Sequence, residues 1–324
     1  LQKKLRKGYT TGVHALFAFC SALSIFVRVG GVVVSFNRKM ENDDLDVTKN
    51  VKIILTLSEK KENIPLNPIP HTPFSFGKAE LFAGIGVGVV TKDGLKVPKG
   101  FPAINPVPLK EIKRCYEILG ENRKVFISIS VENGEEIAKK TANQKVGVIG
   151  GISILGTSGF VNPVSNEAFL ESIKTEIKVA KLQGFERVVF TLGKSSFELA
   201  KTSFKETQII EIGNFIYDSL TLAKKFKIKK ITLIVGIAKA LKVAQGFKNT
   251  HNRFGSIDFE LLQKEIQKEF KVLVDINSTK TLKGILEQLR VFELEEEVKS
   301  MIRKNAQKRL KSWFKELEIE LITL

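Results

Sequence analysis

Four glycines, Gly150, Gly151, Gly156 and Gly159, fall within ten residues of "VGVIGGISILGTSGFVNPVSNEAF" (146–169), directly after an apolar run, with Ser153, Thr157 and Ser158 among them. Glycine loses more backbone freedom on folding than any other residue, so such a cluster marks backbone that bends sharply or approaches something closely. Backbone N–H groups and hydroxyls free of bulky neighbours could hold a nucleoside-bearing cofactor. The spacing fits neither the dinucleotide fingerprint nor the Gly-Lys-Ser/Thr phosphate loop, and a tight strand-to-helix connection is the competing reading.

A second grouping is "FKNTHNR" (247–253), which brings Thr250, His251 and Arg253 together. His251 is the candidate catalytic residue, able to hydrogen-bond a substrate carboxylate or handle a proton. Gly84, Gly86 and Gly88 alternate with apolar residues at strand period in "AGIGVGVV", a glycine face that admits either another backbone or a flat ligand. Thr10 and Thr11, ahead of Gly12 and the first helix, either cap it or help bind a carboxylate at its N-terminus. Asn105, in "PAINPVP", fixes a turn between prolines or contacts substrate.

Composition narrows the chemistry. With 52 basic and 35 acidic residues the net charge is +17, which suits a polyanionic partner. Only ten of the basic residues are arginine and the lysines are dispersed, a pattern that lysine-rich composition alone also produces. Sequence-reading nucleic-acid proteins rely on arginine for bidentate contacts, so a nucleic-acid partner is the weaker alternative. Two cysteines, Cys20 and Cys115, are too few for a disulfide framework or a cysteine zinc site. Three scattered histidines give no metal-ligand spacing, so no protein-bound metal is expected. The N-terminus has the basic-then-apolar outline of a signal peptide, but its apolar run, Ala15 to Val27, is interrupted by Arg28 and lacks a convincing cleavage site. A buried helix in a cytoplasmic protein, without a membrane partner, is expected.

The elements that must position these residues fall into two groups. The first helix begins at Thr10 or Thr11; strands follow near 32–36 and 51–57, then a proline-rich loop, a helix over 108–120 and a strand in "KVFISISV". Beyond residue 144, apolar strands near 146–150, 187–191, 207–212 and 229–235 alternate with amphipathic helices, the pattern of a parallel sheet. Helical patterns at 257–270, 279–289 and 293–316 precede a last apolar run, "EIELITL". The expected architecture is an N-terminal α+β domain over 1–143 on the substrate side. A doubly wound, mainly parallel α/β domain follows over 144–324, with the glycine-rich stretch beyond the end of its first strand, where such sheets bind ligands.

The ordered blocks "LRKGYTTG", "GIGVGVVTKDGL", "PAINPVP", "VGVIGGISILGTSGFVNPVS", "GNF" and "NTHNR" resemble the signature blocks of the CbiD family, from Leu5 to about Thr279. That family comprises cobalt-precorrin-5B methyltransferases acting at ring carbon 1 in anaerobic cobalamin synthesis. The resemblance implies S-adenosylmethionine as donor, and Gly150, Gly151, Ser153, Gly156, Thr157 and Ser158 are then its candidate site. It implies a cobalt-containing tetrapyrrole as substrate, so that cobalt arrives with the substrate, and hand-over to other enzymes of the pathway. Candidate substrate contacts are Thr10, Thr11, Gly84, Gly86, Gly88, Asn105, Thr250 and Arg253. Arg6, Lys7, Lys92, Lys96, Lys99, Lys239 and Lys242 are further candidates for the substrate's carboxylates. The chain departs from the family's usual pattern at Val13–His14, at "LGKSSF" around Lys194 and at "VGIAKALK" after Gly236. A non-catalytic corrinoid carrier is the remaining alternative.

Overall fold

The computed structural model describes all residues except 1–5, 44–46, 157–158, 162–164 and 280. The chain forms two compact units, Leu1–Asn166 and Glu167–Leu324.

The first unit opens with a two-residue strand, β1 (Gly8–Tyr9), and helix α1 (Thr11–Val29). Ala15, Ala18, Phe19, Ala22, Leu23 and Phe26 recur at three- and four-residue spacing, so one stripe of α1 is buried. The helix stops at Gly30, whose φ of 62° returns its N–H to the Phe26 carbonyl. By length and composition α1 is apolar enough to cross a membrane, but that stripe lies in the hydrophobic core of this unit. Next come β2 (Val32–Arg38), β3 (Lys52–Ser58), β4 (Phe74–Phe76), β5 (Ala79–Ala83), β6 (Gly86–Val87) and β7 (Val89–Val90). Helix α2 (Pro106–Leu119), β8 (Val125–Val131), α3 (Gly134–Ala138) and α4 (Asn143–Val146) precede β9 (Val148–Ile149), β10 (Gly151–Ile152) and β11 (Phe160–Val161).

Five of these strands make one mixed sheet in the order β2-β3-β8-β5-β4, in which β5 and β8 run parallel and the other pairs antiparallel. β2 is an edge strand and reads as alternation: Val33 is buried, Val32 and Val34 are exposed. Central β3 and β8 bury both faces and are correspondingly rich in Ile, Leu and Val. Cys20 on α1 and Cys115 on α2 are joined as a single disulfide, Cα atoms 6.4 Å apart, and no framework of such bonds exists.

The second unit contains α5 (Asn166–Leu182), β12 (Arg187–Thr191), α6 (Lys194–Lys201), β13 (Ile209–Glu211), α7 (Ile216–Lys225) and β14 (Lys230–Val235). Helices α8 (Ile237–Ala244), α9 (Phe259–Phe270), α10 (Leu282–Arg290) and α11 (Glu295–Trp313) lead to β15 (Glu318–Thr323). All four strands are parallel, in the order β13-β12-β14-β15. Strand residues alternate between two cores. Val188, Phe190, Ile231, Leu233 and Val235 pack with α5 and α7–α11, whereas Val189 and Ile234 pack with Ala200 and Phe197 of α6. Burying each such side chain is worth about 1.5–3 kcal/mol. Helices on both faces, and a strand order that reverses at β12, make this the doubly wound arrangement expected, and the first unit's mixed sheet is α+β.

The division between units differs from the sequence expectation. The glycine-rich stretch does not open the parallel sheet. β9 pairs with β7, β10 with β6, and β11 with β1, all within the first unit, so the boundary falls after Asn166 rather than at 143. A short apolar run flanked by glycines fits a strand in either unit, and local pattern does not choose its partner.

Candidate functional site

In the first unit the glycines meet each other. Gly151 stands opposite Gly86 in the parallel pair of β10 and β6, and a Cβ on Gly151 would collide with the Gly86 carbonyl. A Cβ on Gly86 would strike the Val131 carbonyl, and one on Gly84 the Ser130 and Ser128 hydroxyls. A Cβ on Gly88 would strike Val148, and one on Gly150 would lie 2.7 Å from the Asn67 side-chain nitrogen. Asn67 explains the tightness at Gly150, because its amide donates to the carbonyls of Val87 (2.7 Å) and Gly150 (2.9 Å) and so ties the two glycine blocks together. The close approach that glycine permits is backbone against backbone. Among the described residues, the space a side chain would need at Gly150 and Gly151, and at Gly84, Gly86 and Gly88, is already taken by protein atoms.

The other expected residues of this unit have similarly internal partners. The Ser153 hydroxyl donates to Asn143 Oδ1 at 2.9 Å. The Thr11 hydroxyl receives the Leu155 N–H at 2.8 Å, and the Gly12 N–H donates to the Leu155 carbonyl at 2.7 Å. Thr10 donates its backbone N–H to the Gly159 carbonyl, while its hydroxyl, 2.7 Å from where a Gly156 Cβ would sit, is buried without a hydrogen bond among the described residues. The Thr-Thr-Gly block and the end of the glycine block are therefore one structure. Thr157 and Ser158 lie outside the described residues. Asn105 is the N-cap residue of α2, and its backbone N–H donates to the Ile154 carbonyl at 3.0 Å.

Cationic residues in this unit are dispersed. Arg6 pairs with Asp43, Lys92 donates to the Lys145 carbonyl, and Lys7 and Lys99 are exposed. Lys96, with Lys110 and Lys113, lines a cavity of about 270 Å³ whose other walls include Phe74, Val97 and Ile104. His14 is buried. Its Nδ1 faces Asn37 Oδ1 and its Nε2 accepts the Met40 N–H at 3.4 Å; burial chiefly, and the nearby Lys39 charge, push its pKa below the ordinary value despite the Asn37 bond.

The second unit brings separate blocks together at the carboxyl ends of its strands, where open parallel sheets place ligands. Asn214 follows β13, Lys239 and Lys242 lie on α8 after β14, and the 249–253 loop closes over them. Lys239 Nζ donates to Asn214 Oδ1 (2.8 Å) and to the Thr250 carbonyl (3.1 Å). Lys242 Nζ, on a side chain only 4% exposed, donates to the carbonyls of Thr250 (3.2 Å) and Gly255 (2.9 Å) and to Asn252 Oδ1 (2.9 Å). The Thr250 hydroxyl donates to Asn214 Oδ1 at 2.9 Å, and its N–H to the Asn214 carbonyl at 3.1 Å. Among the described residues neither lysine has a carboxylate partner. Burial lowers both pKa values, and at Lys239 the neighbouring Lys242 charge lowers it further. Two ammonium groups held on neutral oxygens form a partly covered positive site, able to take an anionic group.

His251 and Arg253 stand at the rim of this cluster, both exposed. His251 Nδ1 accepts the Arg253 N–H at 3.1 Å, which leaves Nε2 as the atom available to a ligand, and the Arg253 guanidinium lies over the Phe254 ring, 4.6 Å from its centroid. Of the expected site residues, Thr250, His251 and Arg253 thus converge with Lys239 and Lys242. Asn214, which holds the cluster together, was visible in the sequence only as the middle of the "GNF" block.

The model of the CbiD family matches residues 23–163. A relative from Methanococcus maripaludis (strain C7), named cobalt-precorrin-5B C(1)-methyltransferase, is 35% identical over 88% of this chain and 77% of its own length. One from Methanococcus vannielii with the same name is 35% identical over 94% of this chain and 89% of its own. A crystal structure of the cobalamin biosynthesis protein (cbiD) from Archaeoglobus fulgidus is 25% identical, with a TM-score of 0.36, over 77% of this chain and 83% of that one.

Proposed function

Because the chain belongs to the CbiD family, we propose that it transfers a methyl group from S-adenosylmethionine to ring carbon 1 of cobalt-precorrin-5B, as a cytoplasmic enzyme of anaerobic cobalamin synthesis. The observation that carries the reading is the Lys239–Lys242 cluster. It is a positive site with no counter-ion among the described residues, and precorrins are fringed with acetate and propionate groups. A carboxylate bound there would gain a charge-assisted hydrogen bond from Lys239, whose ammonium has one donor beyond its two acceptors, and the attraction of the buried Lys242 charge behind it. The Thr250–Asn214 bonds hold Lys239 in place for that contact, and the exposed Arg253 extends the positive rim. The high net charge supports the same partner by drawing a polyanion toward the protein.

The donor supplies a methyl group on a sulfonium. In the transfer the carbon–sulfur bond breaks with its electron pair left on sulfur, and an electron pair of the ring carbon forms the new carbon–carbon bond. The positive charge passes to the macrocycle and is discharged by loss of a ring proton. Such a reaction asks the protein for alignment and exclusion of water more than for a strong base. Because His251 Nδ1 accepts the Arg253 N–H, the neutral ring carries its hydrogen on Nε2, which is the atom of this chain suited to donate a hydrogen bond to a ring carboxylate and orient it. The cobalt is part of the substrate.

The test is anaerobic incubation of the purified chain with methyl-labelled S-adenosylmethionine and cobalt-precorrin-5B, followed by mass spectrometry of both products. Label on ring carbon 1 with release of S-adenosylhomocysteine is expected. Binding of both partners without transfer would identify a corrinoid carrier instead.

A further inference from the structure

The donor needs a site, and the glycine block of the first unit is packed against its own backbone. The second unit offers a different place. Its strand order β13-β12-β14-β15 means that the chain leaves β12 toward one side of the sheet and later returns to the other side of it. Connections from the two neighbouring strands β12 and β14 therefore run to opposite faces, α6 against one and α8 against the other, and by the rule for open parallel sheets the ligand crevice falls between their carboxyl ends. A glycine stands at each lip. Gly193 precedes α6 and Gly236 precedes α8, and a Cβ built on either meets no atom within 4 Å. The contrast with Gly84, Gly86, Gly150 and Gly151 is direct, since there the same space is filled by protein.

Two side chains at this edge lack a hydrogen-bond or ion-pair partner among the described residues. Glu211 ends β13, paired in register with Thr191 at the end of β12, and its exposed carboxylate makes no ion pair or hydrogen bond among the described residues. The Thr191 hydroxyl is fully buried and has no hydrogen-bond partner among the described residues. Glu211 follows the first strand's glycine by about 20 residues, the separation at which a doubly wound fold sets an acidic side chain against ribose hydroxyls. In a chain with 17 more basic than acidic residues, a carboxylate left unpaired at a ligand-facing edge is a specific feature.

We infer that this crevice binds the nucleoside part of the methyl donor, with Glu211 accepting hydrogen bonds from the ribose hydroxyls and the Gly193 and Gly236 backbone lying against the nucleoside. The inference rests on the methyltransferase reading and assigns its donor to the second unit rather than to the glycine block of the first. The Lys239 cluster follows Gly236 by less than one helical turn, so donor and anionic partner would meet at the same sheet edge.

The experiment is calorimetric titration of the full-length chain with S-adenosylhomocysteine, with the unfolding midpoint of each variant as a control for folding. Gly236 has an ordinary φ of −68° and open space at its Cβ, so Gly236→Val should fold normally while obstructing the crevice. Glu211→Gln removes the charge and keeps the shape. Each is expected to weaken binding tenfold or more at an unchanged midpoint, whereas Gly159→Ala in the first unit should leave the affinity as it is. Normal affinity in both Gly236→Val and Glu211→Gln would overturn this site and leave the methyltransferase reading standing. Failure of the unaltered chain to bind S-adenosylhomocysteine or S-adenosylmethionine would overturn both.

Discussion

Lys239 and Lys242, neighbours on α8, donate to the same acceptor: the Thr250 carbonyl oxygen lies 3.1 Å from one ammonium nitrogen and 3.2 Å from the other. Like charges brought this close in a protected setting repel unless an anion joins them. The fold keeps both in place with carbonyl and amide oxygens alone, and leaves the half-buried Lys239 as the one able to reach a ligand.

Lys239→Met should therefore weaken binding of the tetrapyrrole substrate by about tenfold or more, the scale of one lost hydrogen bond to a charged group. Stability should change little, because Lys242 continues to hold the Thr250 carbonyl. Substrate titration followed by visible absorbance, beside a thermal melt, measures both. Unchanged affinity would detach the cluster from substrate binding.

Replacing Gly151 should break the fold of the first unit. A valine side chain would be driven into the Gly86 carbonyl, in a strand pair where neither backbone can retreat. We expect Gly151→Val to lose at least about 3 kcal/mol, the upper range for overpacking. Denaturant unfolding reports this directly. A stable variant that fails only to bind the donor would restore the cofactor reading of this loop.

His251→Ala should lower kcat/KM by tenfold or more while moving the melting temperature by no more than a degree or two. The ring is exposed, and its one internal bond receives the Arg253 N–H in a single turn of 3₁₀ helix. A large fall in melting temperature with full activity in the folded fraction would make it structural.

His14 gives a pH signature. Its folded pKa lies below the usual 6.5, because burial, aided by Lys39, outweighs the Asn37 bond. Its Nε2 already accepts the Met40 N–H, so a proton there would set donor against donor. As pH falls below 6.5 the unfolded chain takes up this proton before the folded one, and stability declines until the folded pKa is passed. Melting temperatures from pH 7.5 to 5 should show that slope, and His14→Gln should flatten it. An identical slope in the variant would assign it to other groups.

Local pattern in the sequence determined most of the elements. The apolar runs of β12 and β14, the three- and four-residue spacing in α1 and the helix-ending glycine at Gly30 each depend on neighbours along the chain, and the observed elements follow them. The residues of the "NTHNR" block were legible as chemistry for the same reason, since Thr250, His251 and Arg253 are adjacent. Tertiary structure decided what those local features face. Asn67 reaches Gly150 across 83 residues and Thr250 reaches Asn214 across 36. No periodicity encodes such pairings, because they depend on strand order and on which loops emerge at the same sheet edge. Sequence therefore showed that Gly151 needed close approach, and only the pairing of β10 with β6 showed that the approaching group is Gly86. Glu211 carried no signal by itself; its meaning comes from the register that ends β13 beside Thr191 and from a sheet whose order reverses there.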